Sequence, residues 1–220
     1  MGDQVKDFFR RSLPGLYVAF YGARKLLRGK SSYLKDTGWV RSFIQAEPVT
    51  SDGDPVPWMN YSIVSLLDER LSKDFVLFEY GSGYSTIFFA RRVKEVISVE
   101  YDPVWYERAI TSAPENLSVL SRAQDVDGAY CRAVREFDES FDVIVVDGRD
   151  RVNCVRHAIV KLNDRGVIIL DDSDRERYAP AFGFVRNAGF RILSIRGVKP
   201  MSGRGHQTSI FYRDNNCLGI

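Results

Sequence analysis

The sequence predicts an α/β fold: a doubly wound, mostly parallel sheet that ends in an antiparallel strand pair, with a helical arm at its N-terminus. Strand-like and helix-like segments alternate from about residue 57 onward, the pattern of repeated strand-helix-strand units. The runs Val143-Ile144-Val145-Val146 and Val167-Ile168-Ile169-Leu170 carry no alternating polar residues, as expected of central parallel strands covered on both faces. The last two strand-like runs, Phe190 to Arg196 and Gln207 to Arg213, are joined by the loop Gly197 to His206 without a helical pattern. They read as an antiparallel pair at the sheet edge. With 220 residues, 45% of them hydrophobic and 27% charged, the chain is long enough for a substantial core and is neither disordered nor collagen-like in composition.

From Val5 to Leu27 the residues Val5, Phe8, Phe9, Leu13, Leu16, Tyr17, Phe20 and Leu27 recur at helical spacing, with Pro14-Gly15 as a break. One or two amphipathic helices are expected. Residues 1–30 hold seven basic and two acidic residues, while the rest of the chain holds 24 basic and 27 acidic. The basic excess thus sits in the arm, which is suited either to packing on the domain or a second subunit in a homodimer, or to peripheral contact with a membrane surface. The uncharged stretch Ser12 to Ala23 is too short to span a bilayer, and no signal-peptide cleavage pattern follows it. The turn-rich segment Glu47 to Trp58 separates the arm, residues 1–46, from the domain, residues 47–220.

In order, the domain is expected to hold a helix around Tyr61 to Leu71, a strand Phe75 to Glu79, a helix Ser85 to Arg92 and a strand Val96 to Glu100. A helix opening at Pro103, a short strand Leu117 to Leu120, a helix near Ala129 to Glu136 and a strand Phe141 to Asp147 follow. A helix from Val152 to Leu162, ended by Gly166, precedes the strand Val167 to Asp171.

Ligands of open α/β sheets bind outside the carboxyl ends of the strands. The first such end reads Glu79-Tyr80-Gly81-Ser82-Gly83-Tyr84-Ser85-Thr86, and Glu100 ends the next strand 19 residues beyond Gly81. Glycines 81 and 83 allow a tight turn and close approach of a ligand. Glu100 can accept two hydrogen bonds from a ribose diol. A nicotinamide or flavin fingerprint places a third glycine at position 86, which is Thr86, and the carboxylate of Glu79 opposes a pyrophosphate. The same carboxylate favours a ligand carrying an ammonium and a sulfonium. A nicotinamide-dependent oxidoreductase is therefore the alternative enzyme, and a catalytically silent adaptor with a nucleotide pocket the alternative of another kind.

Over Trp58 to Arg213 the chain resembles the class I S-adenosylmethionine-dependent methyltransferases, which share this Rossmann-like sheet and its antiparallel end. The resemblance implies that Gly81, Ser82, Gly83 and Ser85 line the methionine moiety, that Glu79 lies near its amino group and Glu100 on its ribose, and that Asp125 approaches the adenine. The segments Val143 to Arg149 and Ile168 to Asp172 are similar to a bacterial branch tied to polysaccharide modification and to the plant glucuronoxylan methyltransferases. O-methylation of a hydroxyl or carboxyl on a saccharide-like acceptor is the activity this implies.

Five aspartates follow two strands: Asp147 and Asp150, then Asp171, Asp172 and Asp174. Such clustering needs protons, cations or arginines to offset its repulsion. Asp147, Asp171 and Asp172 resemble the set that holds Mg²⁺ or another divalent cation in the catechol-type O-methyltransferases, although Asp172 stands in place of Asn and Asp150 in place of a lysine base. Without metal they cap helices and pair with Arg149, Arg151, Arg175 and Arg177. Asp147 is expected beside the methyl donor or the acceptor, and Asp147, Asp150, Asp172 and His206 are the candidate catalytic residues. Trp58, Asn60 and Tyr61 precede the first strand and are placed to close over cofactor or acceptor. His157 has neighbours in a core pattern and reads as structural.

A net charge of +2 gives no reason to expect nucleic-acid binding. Three scattered cysteines and two histidines fit neither a disulfide framework nor a zinc site, and indicate a reducing compartment. A cytoplasmic protein, peripheral to the inner face of the membrane if the arm attaches there, is the expected location.

Overall fold

The computed structural model of the protein describes residues 3–28, 32–111 and 113–220; Lys30 of the basic arm lies outside them. Seven strands form one sheet in the order β3-β2-β1-β4-β5-β7-β6, with β1 at Val76–Tyr80, β2 at Glu95–Glu100, β3 at Leu117–Ser121, β4 at Phe141–Val146, β5 at Leu162–Leu170, β6 at Arg191–Val198 and β7 at Gly205–Tyr212. The first five are parallel, and β7 runs antiparallel to both β5 and β6. The expected terminal pair is present, but only β6 is an edge; β7 inserts between it and β5.

Helices cover both faces. The arm carries α1 (Asp3–Ser12), α2 (Pro14–Tyr17), a π-helical stretch Val18–Gly22 and α3 (Ala23–Arg28). Next come α4 (Tyr33–Asp36), α5 (Trp39–Gln45), α6 (Tyr61–Arg70), α7 (Tyr84–Ala90), α8 (Pro103–Thr111), α9 (Ala129–Arg132), α10 (Arg151–Ile159) and α11 (Ala179–Asn187). Adjacent residues of each central strand serve opposite layers. Val143, Val145, Val167 and Ile169 pack with Ile63, Leu67, Phe88 and Phe89 of α6 and α7. Ile144, Val146, Ile168 and Leu170 pack with Cys154, Val155, Ala181 and Val185 of α10 and α11. This two-sided burial explains the unbroken apolar runs.

Two expectations are corrected. Gly166 does not end the preceding helix, which stops at Ile159; it lies inside β5, where the register with β4 shifts. A Cβ there would come 2.8 Å from the Phe141 carbonyl oxygen, so the irregular pairing requires glycine. The arm, expected as one unit through residue 46, divides. None of residues 4–28 is buried, whereas α5 joins the domain through Trp39, whose indole Nε1 donates to the Ser202 carbonyl at 2.9 Å. Within the arm Leu13 leaves helical geometry at φ −138° and ψ 60°, and Pro14 opens the next helical stretch, as the sequence suggests. Among the described residues no helix is long and apolar enough to cross a membrane. All three cysteines are free, Cys131 and Cys154 of them buried.

Candidate active site

The strand order reverses between β1 and β4, so their carboxyl ends diverge and leave a crevice. The chain leaves β1 through Gly81, at φ 97°, whose missing Cβ would come 3.2 Å from Cα of Gly148 after β4. Glycine is required at this close crossing. Gly148 is equally constrained, since a Cβ there would fall 1.8 Å from the Tyr130 hydroxyl. Above them opens a cavity of about 590 Å³, within the range of cofactor sites, walled by Gly81 to Ser85, Glu100, Tyr101, Trp105, Gln124 and the segment Asp147 to Val152. Pro48, Trp58, Arg175, Arg177 and Tyr178 complete it.

Glu100 is 4% exposed and stands at this wall. Its Oε2 accepts from the Ser82 amide at 2.8 Å and its Oε1 from the Tyr101 and Asp102 amides, each at 2.8 Å. It therefore both fixes the glycine loop and presents a carboxylate edge to the crevice. Glu79, expected near the cofactor's amino group, is instead fully buried behind the loop and outside the cavity wall. It accepts from Ser85 Oγ at 2.5 Å, Thr86 Oγ1 at 2.6 Å and Ser98 Oγ at 3.3 Å. Burial pushes its carboxyl up to about 8 against the lowering effect of these hydroxyls. Through Ser85 and Thr86 at the start of α7, Glu79 pins that helix to β1. Asp125 is exposed and outside the wall; Gln124, one residue earlier, lines it.

The aspartates are met by protein cations. Arg151, 7% exposed, donates to the carbonyls of Gly148 at 2.9 Å, Asp171 at 2.6 Å and Asp147 at 2.9 Å, and pairs with Asp147 Oδ1 at 2.7 Å. It ties the ends of β4 and β5 together. Burial raises the Asp147 carboxyl, and Arg151 opposes that shift. Asp172 pairs with Arg175, with Lys199 at 3.1 Å and with His206 Nδ1 at 3.1 Å. Desolvation acts upward on Asp172, but Lys199 and the arginines hold it below the usual carboxylate range. Asp171 is 1% exposed, accepts from Thr208 Oγ1 at 2.6 Å and is pushed by burial up to about 8, which leaves it protonated near neutrality.

The trio Asp147, Asp171 and Asp172 therefore does not fit a divalent cation: Asp147 pairs with Arg151, Asp172 with Arg175 and Lys199, Asp171 accepts from Thr208, and the three do not bring their carboxylate oxygens within 4.8 Å of one another. Among the described residues, the grouping of three potential ligand atoms within 4.8 Å of one another is Asp127, Cys131 and His157. Asp127 there already pairs with Arg132 at 2.9 Å and Arg156 at 2.7 Å, and with the buried His157 at 2.6 Å, so it too is an ion-pair cluster.

The remaining candidates separate by position. Asp150 reaches the cavity wall, but its carboxylate accepts from the Asp127 amide at 2.8 Å and from Asn153 Nδ2 at 2.9 Å. It anchors the loop that carries Gln124. His206 stands outside the wall, with Asp172 on one ring nitrogen and Ser202 Oγ at 2.9 Å from the other. Trp58 lines the cavity and its Nε1 donates to the Pro200 carbonyl at 3.1 Å, while Asn60 and Tyr61 are buried beneath. Sequence reasoning missed Tyr101, Trp105, Gln124 and Tyr178 as wall residues, whereas Arg151 is among the arginines it named as partners of the aspartates. The i, i+4 relation of Arg151 to Asp147 at a helix start is the signal for that pairing.

This geometry suits S-adenosylmethionine: a glycine cradle a side chain would fill, carboxylates at Glu100 and Asp147 facing the cavity, and aromatic faces at Tyr101 and Trp105 for the adenine. Residues 78–173, from β1 through the end of β5, match a methyltransferase-domain family model. No curated protein matches the chain at a significant level. Among solved structures, the precorrin-6y C5,15-methyltransferase of Geobacter metallireducens superposes with a TM-score of 0.53 at 14% identity over 70% of this chain and 88% of that one. A candidate O-methyltransferase of Klebsiella pneumoniae gives 0.53 at 16% identity over 87% and 94%. A candidate methyltransferase of Streptococcus mutans in complex with S-adenosylhomocysteine gives 0.50 at 11% identity over 68% and 94%. At these identities the superpositions speak for the fold, and the nicotinamide alternative finds no favour in motif, wall or family match. Residues 78–173 thus form a methyltransferase domain, set in a sheet whose fold is that of the methyltransferases it superposes on.

Proposed function

We propose that the protein methylates an oxygen of a saccharide-like acceptor. The observation that carries this reading is the composition of the cavity beyond the glycine loop: the aromatic rings of Trp58 and Tyr178 stand with the guanidinium groups of Arg175 and Arg177, next to Asp147. Sugar rings present C–H faces that lie on aromatic rings and hydroxyls or carboxylates that accept from arginine. The likeness to polysaccharide-associated methyltransferases in the segments after β4 and β5 points the same way.

When bound, the cofactor supplies an electrophilic methyl group on sulfur. The chain's own contribution is to hold the acceptor oxygen in line with that carbon, a positioning effect that accounts for most of the barrier reduction in such displacements. The Gly81 to Gly83 loop and Glu100 would hold the cofactor, which would give up its methyl to the acceptor oxygen with the C–S electron pair left on sulfur, and the Asp147 carboxylate would take the acceptor's hydroxyl proton. Burial makes this carboxylate more basic, and the Arg151 guanidinium opposes that shift. Because protein cations already neutralise Asp147 and Asp172, the chemistry runs without a divalent ion.

The test is transfer of labelled methyl from S-adenosylmethionine to a panel of uronic acids, neutral sugars, catechols and amines, with and without EDTA. Labelled sugar ethers or esters formed equally in both conditions support the proposal, with Asp147→Asn lowering kcat by about 10²-fold or more. Transfer confined to catechols or amines, or activity abolished by chelation, refutes it.

A further inference from the structure

We propose that the arm, residues 3–28, docks the protein on an anionic lipid bilayer. In α1 and in the stretch after Pro14, Phe8, Leu16, Val18, Phe20 and Leu26 are 54% to 67% exposed, and none of residues 4–28 is buried. The domain therefore does not use this apolar surface. Beside it lies a cleft of about 460 Å³ lined by Lys6, Tyr17, Tyr21, Arg24, Lys25 and Arg28, with Gly22 at its floor: four cations, two phenolic hydroxyls and no carboxylate. Of the arm's two acids, Asp7 is paired with Arg10 at 3.0 Å.

Exposed hydrocarbon and cations side by side ask for a partner that offers hydrocarbon and anionic oxygen side by side. The headgroup boundary of an anionic bilayer does so: apolar side chains enter the acyl boundary while lysine and arginine meet the phosphates. Nucleic acid supplies the phosphates but gives the apolar residues no cover. A second copy of the arm supplies the hydrocarbon but sets six basic residues against six, and the rest of each chain is acidic in balance. No helix of the described residues crosses the membrane, so the arm lies in its surface. The chain continues from Ser32 into α4 and α5, and Trp39 and Trp58 both hydrogen-bond the segment Pro200 to Ser202. The membrane-bound arm is thereby followed by a part of the chain that is fastened to the rim of the cavity.

The experiment is sedimentation of the full chain with vesicles of pure phosphatidylcholine or of phosphatidylcholine mixed with phosphatidylglycerol, at about 0.15 M salt, where the Debye length is about 8 Å. The expected result is binding to the mixed vesicles and not to the neutral ones. Two surface variants separate the contributions: R24E/K25E/R28E, expected to lower partition by roughly 100-fold on the scale of phosphate attraction per cation, and F8S/L16S/F20S, expected to abolish it. S-adenosylhomocysteine binding, unchanged in both, shows that the domain is folded. Absence of binding by the wild-type chain, equal binding to both vesicles, or a partition neither variant alters overturns the proposal. So does an arm-dependent dimer in sedimentation velocity with no vesicle binding, which would give the surface to a second copy.

Discussion

Arg151→Met removes the group that joins the ends of β4 and β5 while keeping the length and apolar stem of the side chain. Four contacts are lost: those to the carbonyls of Gly148, Asp147 and Asp171, and the ion pair with Asp147. Breaking a buried pair by removing one partner costs about 3–5 kcal/mol, since the other charge is left uncompensated. The Asp147 side chain is 22% exposed, so water recovers part of its solvation and the lower half of that range is expected, about 3–4 kcal/mol. For a chain of this size each kcal/mol moves Tm by about 2–4 °C, so a drop of roughly 10 °C should appear in a thermal scan and a matching loss in urea titration. Asp147 also loses its foremost lowering influence, so the acid limb of the activity profile should move to higher pH. Arg151→Lys keeps the charge but cannot reach three carbonyls at once, and should fall between wild type and Met. A loss below about 1 kcal/mol in Arg151→Met with an unmoved pH profile would show that the network does not hold the strand ends.

Further outcomes test the other parts of the site. Gly148→Ala sets a methyl group 1.8 Å from the Tyr130 hydroxyl and should cost about 1–3 kcal/mol in stability, with partial relief in the Gly148→Ala, Tyr130→Phe double variant, measured by urea unfolding. Glu79, about 8 when folded, lies above its unfolded value, so its stabilising contribution is complete below about pH 4 and lost as pH rises toward 8. Glu79→Gln should therefore unfold with a shallower loss of stability between pH 5 and pH 8 than wild type, and an identical pH dependence would contradict the buried neutral acid. Asp150→Asn, which retains an acceptor for the Asp127 amide, should leave kcat within a few-fold of wild type, whereas a loss like that of Asp147→Asn would return Asp150 to the chemistry.

The sheet was legible in the sequence because its strands are covered on both faces, which writes uninterrupted runs such as Val143 to Val146 into the chain. The glycine loop and Glu100 were legible because their constraints are local: a crossing of two backbones at Gly81 and a strand end at Glu100. What depended on side-chain direction was not. Glu79 is buried and stays out of the cavity wall, and Gln124 lines that wall while Asp125 is exposed. The sequence assigned no element between Asp172 and Phe190, where α11 lies; Pro180 and Gly183 obscure its period, and only Ala181 and Val185 are buried. The aspartate cluster left a metal and arginine pairing both open from sequence, and of the four arginines named there Arg151 and Arg175 pair with Asp147 and Asp172. Lys199 and His206, both from the far end of the chain, meet Asp172 only through the β5-β7 pairing.

Calorimetric titration with S-adenosylhomocysteine, alongside the reduced nicotinamide cofactors, tests the central claim most directly. Saturable binding of the homocysteine product alone is expected, weakened by about 1–3 kcal/mol in Glu100→Ala, which removes a buried carboxylate from the wall, and unmoved in Asp125→Ala. Nicotinamide binding in its place, or no binding of either ligand, would contradict the assignment of this cavity to S-adenosylmethionine.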